Sequence, residues 1–499
     1  MARRALVGLV IIATLIATVV TVENVRGRAV WNRFKAEWEA KGERFDIASV
    51  TPPPVLDAEN FAMTPLLAPL LDYTSEPVKG SPFGGQKHWR DTNAYQRLTN
   101  LKVTGPKMPV STGGWRAGKF VDLKTWQEHY RALTNFPSAP QALTPAEDVL
   151  VALTRFDAEI AELRAASLRP HARFPIHYDE NFSALIPQLS VLRQFSRVAQ
   201  LRALAELEMG RTDAALADVQ LGLGLAGAIK TEPLFISSLV RIAILEETFQ
   251  PIWEGLARRR WSEVQLLEIE KRLATEDLLA EFHRSIRGER AFGLEAIEWM
   301  RRNPRLIEAM GSEEFGAESR NSVFLVAPSG WFDQNKFEIA RMYQEKVLPV
   351  VDAKAQRVHP TMSRQNAAAT VRELQGFHPY RVMANMLFPA FENGSAKFSS
   401  TQTAVNEARI ACALERHRLK HGQFPLKLDA LVPDFMAKLP HDIINGEPLK
   451  YQRTEDGQFL LYSIGWDEND DGGKPEKRDT SGGKGEKREG DWVWRYPER

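Results

Sequence analysis

Acidic oxygens at alternating positions are the clearest chemistry this sequence offers. Asp467-Glu468-Asn469-Asp470-Asp471-Gly472 fits the pattern D-x-[DN]-x-[DN]-G. In such a loop alternate side-chain oxygens converge on a hard cation, and the glycine permits the sharp turn. Asp467, Asn469 and Asp471 are therefore candidate calcium ligands. The twelfth loop position, a carboxylate in helix–loop–helix calcium sites, is Arg478 here. A further ligand is needed, either Asp491 or a backbone carbonyl. The competing reading is a solvated acidic turn heading the Gly-, Lys- and Glu-rich stretch from Lys474 to Gly490.

Other pairings carry less chemistry. His417 and His421 stand four residues apart, a spacing that presents two imidazoles on one helix face. Arg416, Arg418 and Lys420 surround them, so a basic last helical turn that suits the helix dipole is the simpler reading. His171, His177, Asp179 and Glu180 cluster after Arg169-Pro170, with turn composition and no recognised ligand spacing. Glu289, Arg290, Glu295 and Glu298 read as surface charges on an amphipathic helix. Gly-x-Ser-x-Gly, His-Glu-x-x-His, P-loop and dinucleotide patterns do not occur, and no catalytic residue is assigned.

The elements that must carry these groups begin with an anchor. Ala5 to Val22 is 18 residues without a charge, behind Arg3 and Arg4. As a helix it spans about 27 Å, close to the hydrocarbon core of a bilayer. It exceeds the apolar region of a secretory signal, and Val19-Val20-Thr21-Val22 is a poor cleavage site. A single-pass anchor at residues 1–25 in the inner (cytoplasmic) membrane is expected, amino end inside and the bulk of the chain extracytoplasmic. Arg26, Arg28, Arg33 and Lys35 argue for the opposite orientation. The formal net charge of +1 gives no case for a nucleic-acid partner, and Cys412, the single cysteine, excludes an internal disulfide.

Residues 26–125 read as a juxtamembrane helix and a loop-rich connector. Val30, Trp31, Phe34 and Trp38 have helical spacing, and suit either the membrane interface or packing on the body. Thr51-Pro52-Pro53-Pro54 is a stiff extended link. Gly80, Pro82, Gly84, Gly85, Gly113, Gly114 and Gly118 break the pattern up to Phe120. Residues 126–390 read as a helical body. Thr144-Pro145-Ala146-Glu147 is a capping box with proline at the first helical position. Further helices are expected near 185–209, 212–229, 233–257, 262–274 with a Ser262…Gln265 cap, 276–302 and 337–351. Val323 to Val326 is a short strand or apolar loop, and His359 to Pro379 a polar connector. In residues 391–499, Ser399 to Lys420 is a helix stopped by Gly422. Leu426–Leu431 is a short second helix, and Leu449–Arg453 and Gln458–Ile464 are strands joined through Asp456-Gly457.

Leu201-Arg202-Ala203-Leu204-Ala205-Glu206-Leu207-Glu208-Met209-Gly210-Arg211-Thr212-Asp213-Ala214-Ala215-Leu216 resembles one tetratricopeptide (TPR) hairpin. The last hundred residues resemble the soluble domain of the major pseudopilin of type II secretion systems. The matching residues are His421-Gly422-Gln423-Phe424-Pro425, Leu428-Asp429-Ala430-Leu431, Leu439-Pro440-His441-Asp442, Asn445-Gly446-Glu447-Pro448-Leu449-Lys450-Tyr451, Tyr462-Ser463-Ile464-Gly465 and Gly490-Asp491-Trp492. That resemblance implies a calcium-binding loop after the last strand of the hairpin. A pseudopilin's membrane helix runs directly into its soluble part; here the apolar segment lies far upstream. The whole chain is also similar to uncharacterised membrane-anchored families of Planctomycetes and Verrucomicrobia, from which no function is carried over.

The expected fold class is mainly α: a transmembrane helix, an irregular TPR-like array and a small C-terminal α+β pseudopilin-like module. The expected function is a membrane-anchored extracytoplasmic interaction or scaffold protein, with a protein partner in a secretion or envelope assembly and possible Ca2+ in the terminal loop. The alternative is a hydrolase-like envelope enzyme with its site in the helical body.

Overall fold

The computed structural model describes residues 2–77, 85–103, 105–106, 114–303, 327–374, 378–388, 391–479 and 487–497. Val323–Val326, Gly80, Pro82, Gly84 and Gly113 lie outside the described residues.

The chain opens with one unbroken helix, α1 (Ala2–Ala40). After Arg3 and Arg4 its first half is uncharged and exposed, and it is the only described helix long and apolar enough to cross a membrane. Its second half packs on the body: Trp31 and Phe34 are buried, and Phe34 meets Phe337 edge-on at 5.3 Å. Of the two places open to these aromatics, they occupy the body rather than the membrane interface.

Beyond the Pro52–Pro54 link the connector holds more regular structure than its glycines suggest. Strands β1 (Tyr73–Pro77) and β2 (Gly85–Trp89) form an antiparallel hairpin, followed by α2 (Thr92–Thr99) with Asp91 as its N-cap. Then come α3 (Leu123–Arg131), α4 (Pro145–Leu153) and α5 (Asp157–Ala166). The Thr144 capping box forms in full, with Glu147 returning the bond. Helices α6 (Pro187–Glu208) and α7 (Thr212–Ala228) make a tight antiparallel pair. Gly210 turns between them at φ 75°, which a side chain would strain.

Helices α8 (Phe235–Ala257), α9 (Glu263–Leu273) and α10 (Leu278–Arg302) complete the middle, and the Ser262–Gln265 box starts α9 as its spacing predicts. α11 (Ser329–Met342) begins eight residues earlier than its pattern suggests. It runs on through a π turn into a two-residue ladder of β3 (Val351–Asp352) with β4 (Arg357–Val358). The segment read as a polar connector is instead a helix, α12 (Pro360–Leu374). Proline sits at its start, three alanines fill its middle, and its inward face holds Ser363 and Thr370. No apolar stripe advertised it.

After α13 (Val382–Leu387), α14 (Phe391–His421) packs against α8, α9, α10 and α12. β5 (Lys450–Arg453), β6 (Phe459–Ser463) and β9 (Trp492–Trp494) form an antiparallel sheet in the order β5-β6-β9, and β7 (Lys477–Asp479) pairs with β8 (Lys487–Glu489). Trp494 also meets Trp115 of the connector, so one apolar cluster runs from Trp31 to Trp494.

Candidate functional site

Three places gather polar groups with defined geometry. The first is the joint between α1 and the body. A Cβ on Gly27 would fall 2.6 Å from Gly330 Cα, so only glycine lets the two backbones meet. Beside it the Gly330 N–H donates to Asn24 Oδ1 (2.9 Å), and Tyr380 donates its hydroxyl to Glu23 (2.9 Å). Just past the end of α1, Glu43 accepts from Arg287 Nη2 (2.7 Å) and Arg290 Nη2 (2.9 Å). The Arg290 side chain is fully buried, against its expected place on the surface, and lies over the Phe45 ring. Burial alone would raise the Glu43 carboxyl, but the two guanidinium groups outweigh it and hold it at about 2.

The second place is the acidic loop. Asp467 accepts from Asn469 N (3.1 Å) and Gly490 N (2.9 Å), and Asn469 Nδ2 donates to the Asp467 carbonyl. Asp491 is buried and accepts from Gly473 N (2.6 Å) and Asp471 N (3.3 Å). Burial, aided by Asp470 and Asp471, raises its carboxyl to about 6. Backbone N–H bonds thus bring Asp491 against the turn that holds Asp467, Asn469 and Asp471. The Asp467 and Asp491 oxygens accept from backbone N–H groups, an arrangement that ties the loop to the last strand. Among the described residues no three His, Cys, Asp or Glu side chains converge as a metal site. A related pin is Asp442, buried, which accepts from Ile444 N, Ser463 Oγ and Ile464 N at 2.8–3.1 Å.

The third place is a cleft of about 400 Å³ where the loop after α5 faces the carboxyl end of α7. Arg169, His171, Arg173, Lys230 and Arg272 line it, and no carboxylate does among the described residues. Of the predicted histidine cluster only His171 is here. His177 stacks on Tyr73 at 4.5 Å, and Glu180 pairs with Lys87 and accepts from the Tyr73 hydroxyl. That cluster is the seat of the β1–β2 hairpin. His417 and His421 lie ring to ring at 4.4 Å on the last turns of α14, with His417 Nδ1 on the Gln423 carbonyl.

No family model matches the sequence, and no curated protein or solved structure matches it either. Behind the cleft, Arg241 is fully buried between Glu276 and Glu281, with Nη1 2.6 Å from Glu281. Neither Arg241 nor Arg290 was singled out in the sequence as a buried group.

Proposed function

We propose that this chain is a membrane-anchored, extracytoplasmic interaction or scaffold protein whose body is mounted rigidly on its anchor, and whose pseudopilin-like end docks to a secretion or envelope assembly. The observation that carries the reading is the single helix Ala2–Ala40, exposed and apolar in its first half and locked to the body by Gly27–Gly330 in its second and by Glu43 just beyond its end. A flexible tether would suffice for an enzyme that diffuses to its substrate. A helix that continues without a break into the core fixes the height and orientation of the body over the bilayer, which suits assembly. The enzyme alternative calls for His171, His177 and Asp179 to share a pocket with carboxylates. Instead His177 lies in the hairpin seat, and the cleft holding His171 is cationic.

The test uses the cysteine economy of the chain. Cys412 is buried, so a cysteine at Leu426, which is 80% exposed, is the accessible thiol. Labelling of Leu426→Cys by a membrane-impermeant maleimide in intact cells, with the protein retained in membranes at alkaline pH, is the expected result. Labelling only after lysis would overturn the orientation. A photo-crosslinker at the same position should then give one reproducible adduct with an envelope protein, and adducts with lipid or with itself alone would refute the scaffold role.

A further inference from the structure

We propose that the cleft beside α7 binds a small organic polyanion, a compact molecule carrying two or more phosphate or carboxylate groups. Its cations come from three separate stretches of chain: Arg169 and Arg173 from the loop after α5, Lys230 from the turn after α7, and Arg272 from the end of α9. With buried Arg241 behind them they make five cationic groups. Among the described residues the carboxylates paired with this set are two, Glu276 and Glu281, both buried and both already engaged by Arg241. Arg169 and Arg173 have no ion pair among the described residues.

Part of this charge has a structural task. Arg272 Nη2 caps the Leu223 carbonyl (3.1 Å), Arg169 Nη1 holds the Asn60 carbonyl (2.8 Å), and Arg173 Nε holds the Pro52 carbonyl (2.9 Å). Arg173 and Arg169 use one and two donors of a five-donor fork in this way, and Arg272 three, its Nη1 donating to Thr275 and Glu276. The Arg173 Nη groups and Arg169 Nη2 retain donors without a partner among the described residues, at the wall of a hollow. Like charges gathered around a hollow repel one another unless an anion sits among them. Guanidinium forks suit phosphate and carboxylate geometry in particular.

The shape sets the rest of the ligand class. Gly224 and Gly227 leave the floor without side chains, and a Cβ on Gly227 would fall 3.1 Å from Arg272 Nη2. The volume is in the range of small-molecule sites and leaves room beyond a lone phosphate. Pro52, Pro53 and Val55 make an apolar wall for the carbon body.

The experiment is calorimetric titration of the full chain in nonionic detergent with pyrophosphate and, separately, citrate, each against sodium chloride at equal ionic strength. Saturable one-to-one binding of at least one is expected, and which one binds distinguishes a phosphate from a carboxylate ligand. Arg173→Gln and Lys230→Gln should each weaken the affinity by about tenfold, the loss of one charged hydrogen bond. Val55→Trp, which fills the cleft and leaves every charge in place, should abolish binding while thermal melting stays at the wild-type temperature. Failure of both anions to bind beyond the chloride control at millimolar concentration overturns the proposal. So does undiminished binding in Lys230→Gln and Val55→Trp, which would place the anion elsewhere.

Discussion

Replacing Glu43 by glutamine should loosen the joint between α1 and the body. The carboxylate is held at about 2 instead of 4.5, at a side chain only 12% exposed. At about 1.4 kcal/mol per pH unit the displacement corresponds to about 3 kcal/mol of native-state stabilisation. Residual contact with water lowers this to about 2 kcal/mol. An independent route gives a similar size. Arg290 is fully buried, and stripping a buried charge of its partner costs about 3–5 kcal/mol. Here the Gln344 side chain and the Arg44 carbonyl also accept from Arg290, which places the loss towards or below the low end. The sign with pH follows. The native carboxyl is depressed, so its contribution is complete above about 4.5 and fades as pH falls towards about 2.

The assay is thermal melting of wild type and Glu43→Gln in detergent from pH 7 to pH 2.5, with hydrogen exchange read at residues 41–46 and 287–294. At pH 7 the variant should melt lower and exchange faster in those two segments. The gap should close as pH drops, because the wild type protonates while the variant has nothing to lose. Equal melting and exchange at pH 7, or a gap that persists unchanged at pH 2.5, would refute the claim that this carboxylate locks the joint.

Gly27→Ala should cost about 1–3 kcal/mol, because the new methyl meets backbone atoms of Gly330 that cannot swing aside, while Gly8→Ala, with nothing within 4 Å, should melt as wild type does. Burial raises the Glu232 carboxyl to about 7, between Gln188 and Ser237. The native state therefore binds its proton more tightly than the unfolded chain, and stability should fall as pH rises from about 4.5 to 7; melting curves of Glu232→Gln should show that slope flattened. Arg241→Met strands Glu281 in the interior, while Glu276 keeps Arg272 and Lys230, and should cost about 3–5 kcal/mol by denaturant midpoint, with partial recovery when Glu281→Gln is added.

The features legible in the sequence share one property: their signal is local. The uncharged run of α1, the capping boxes at Thr144 and Ser262, the glycine stop at Gly422 and the hairpin around Asp456-Gly457 are each decided within a few residues, and each appears where its residues place it. What stayed hidden depends on partners far along the chain. Glu43 meets Arg287 and Arg290 244 and 247 residues later, and the cleft draws on three stretches that no spacing rule connects. The acidic loop stands between these cases. Its pattern sets alternating oxygens on a turn, but the N–H group of Gly490 that reaches Asp467, beside the local one of Asn469, is brought there by the returning last strand.

A tertiary partner is not always invisible, however. In α10 the buried stripe runs Phe282, Ile286, Arg290, Leu294, Ile297, and in α8 it runs Ser238, Arg241, Leu245, Phe249, Ile252. Each arginine stands in the register of the inward face, one helical turn after one inward side chain and one turn before the next. A surface arginine has no reason to keep that phase. An arginine that does keep it must bring a carboxylate into the interior with it, from Glu43 in one case and Glu276 and Glu281 in the other. Phase along the helix therefore marks the buried cation within the sequence itself. It leaves the partner unnamed, and so the two charge networks that hold α1 and back the cleft can be located in the sequence by one member each and are completed only by the fold.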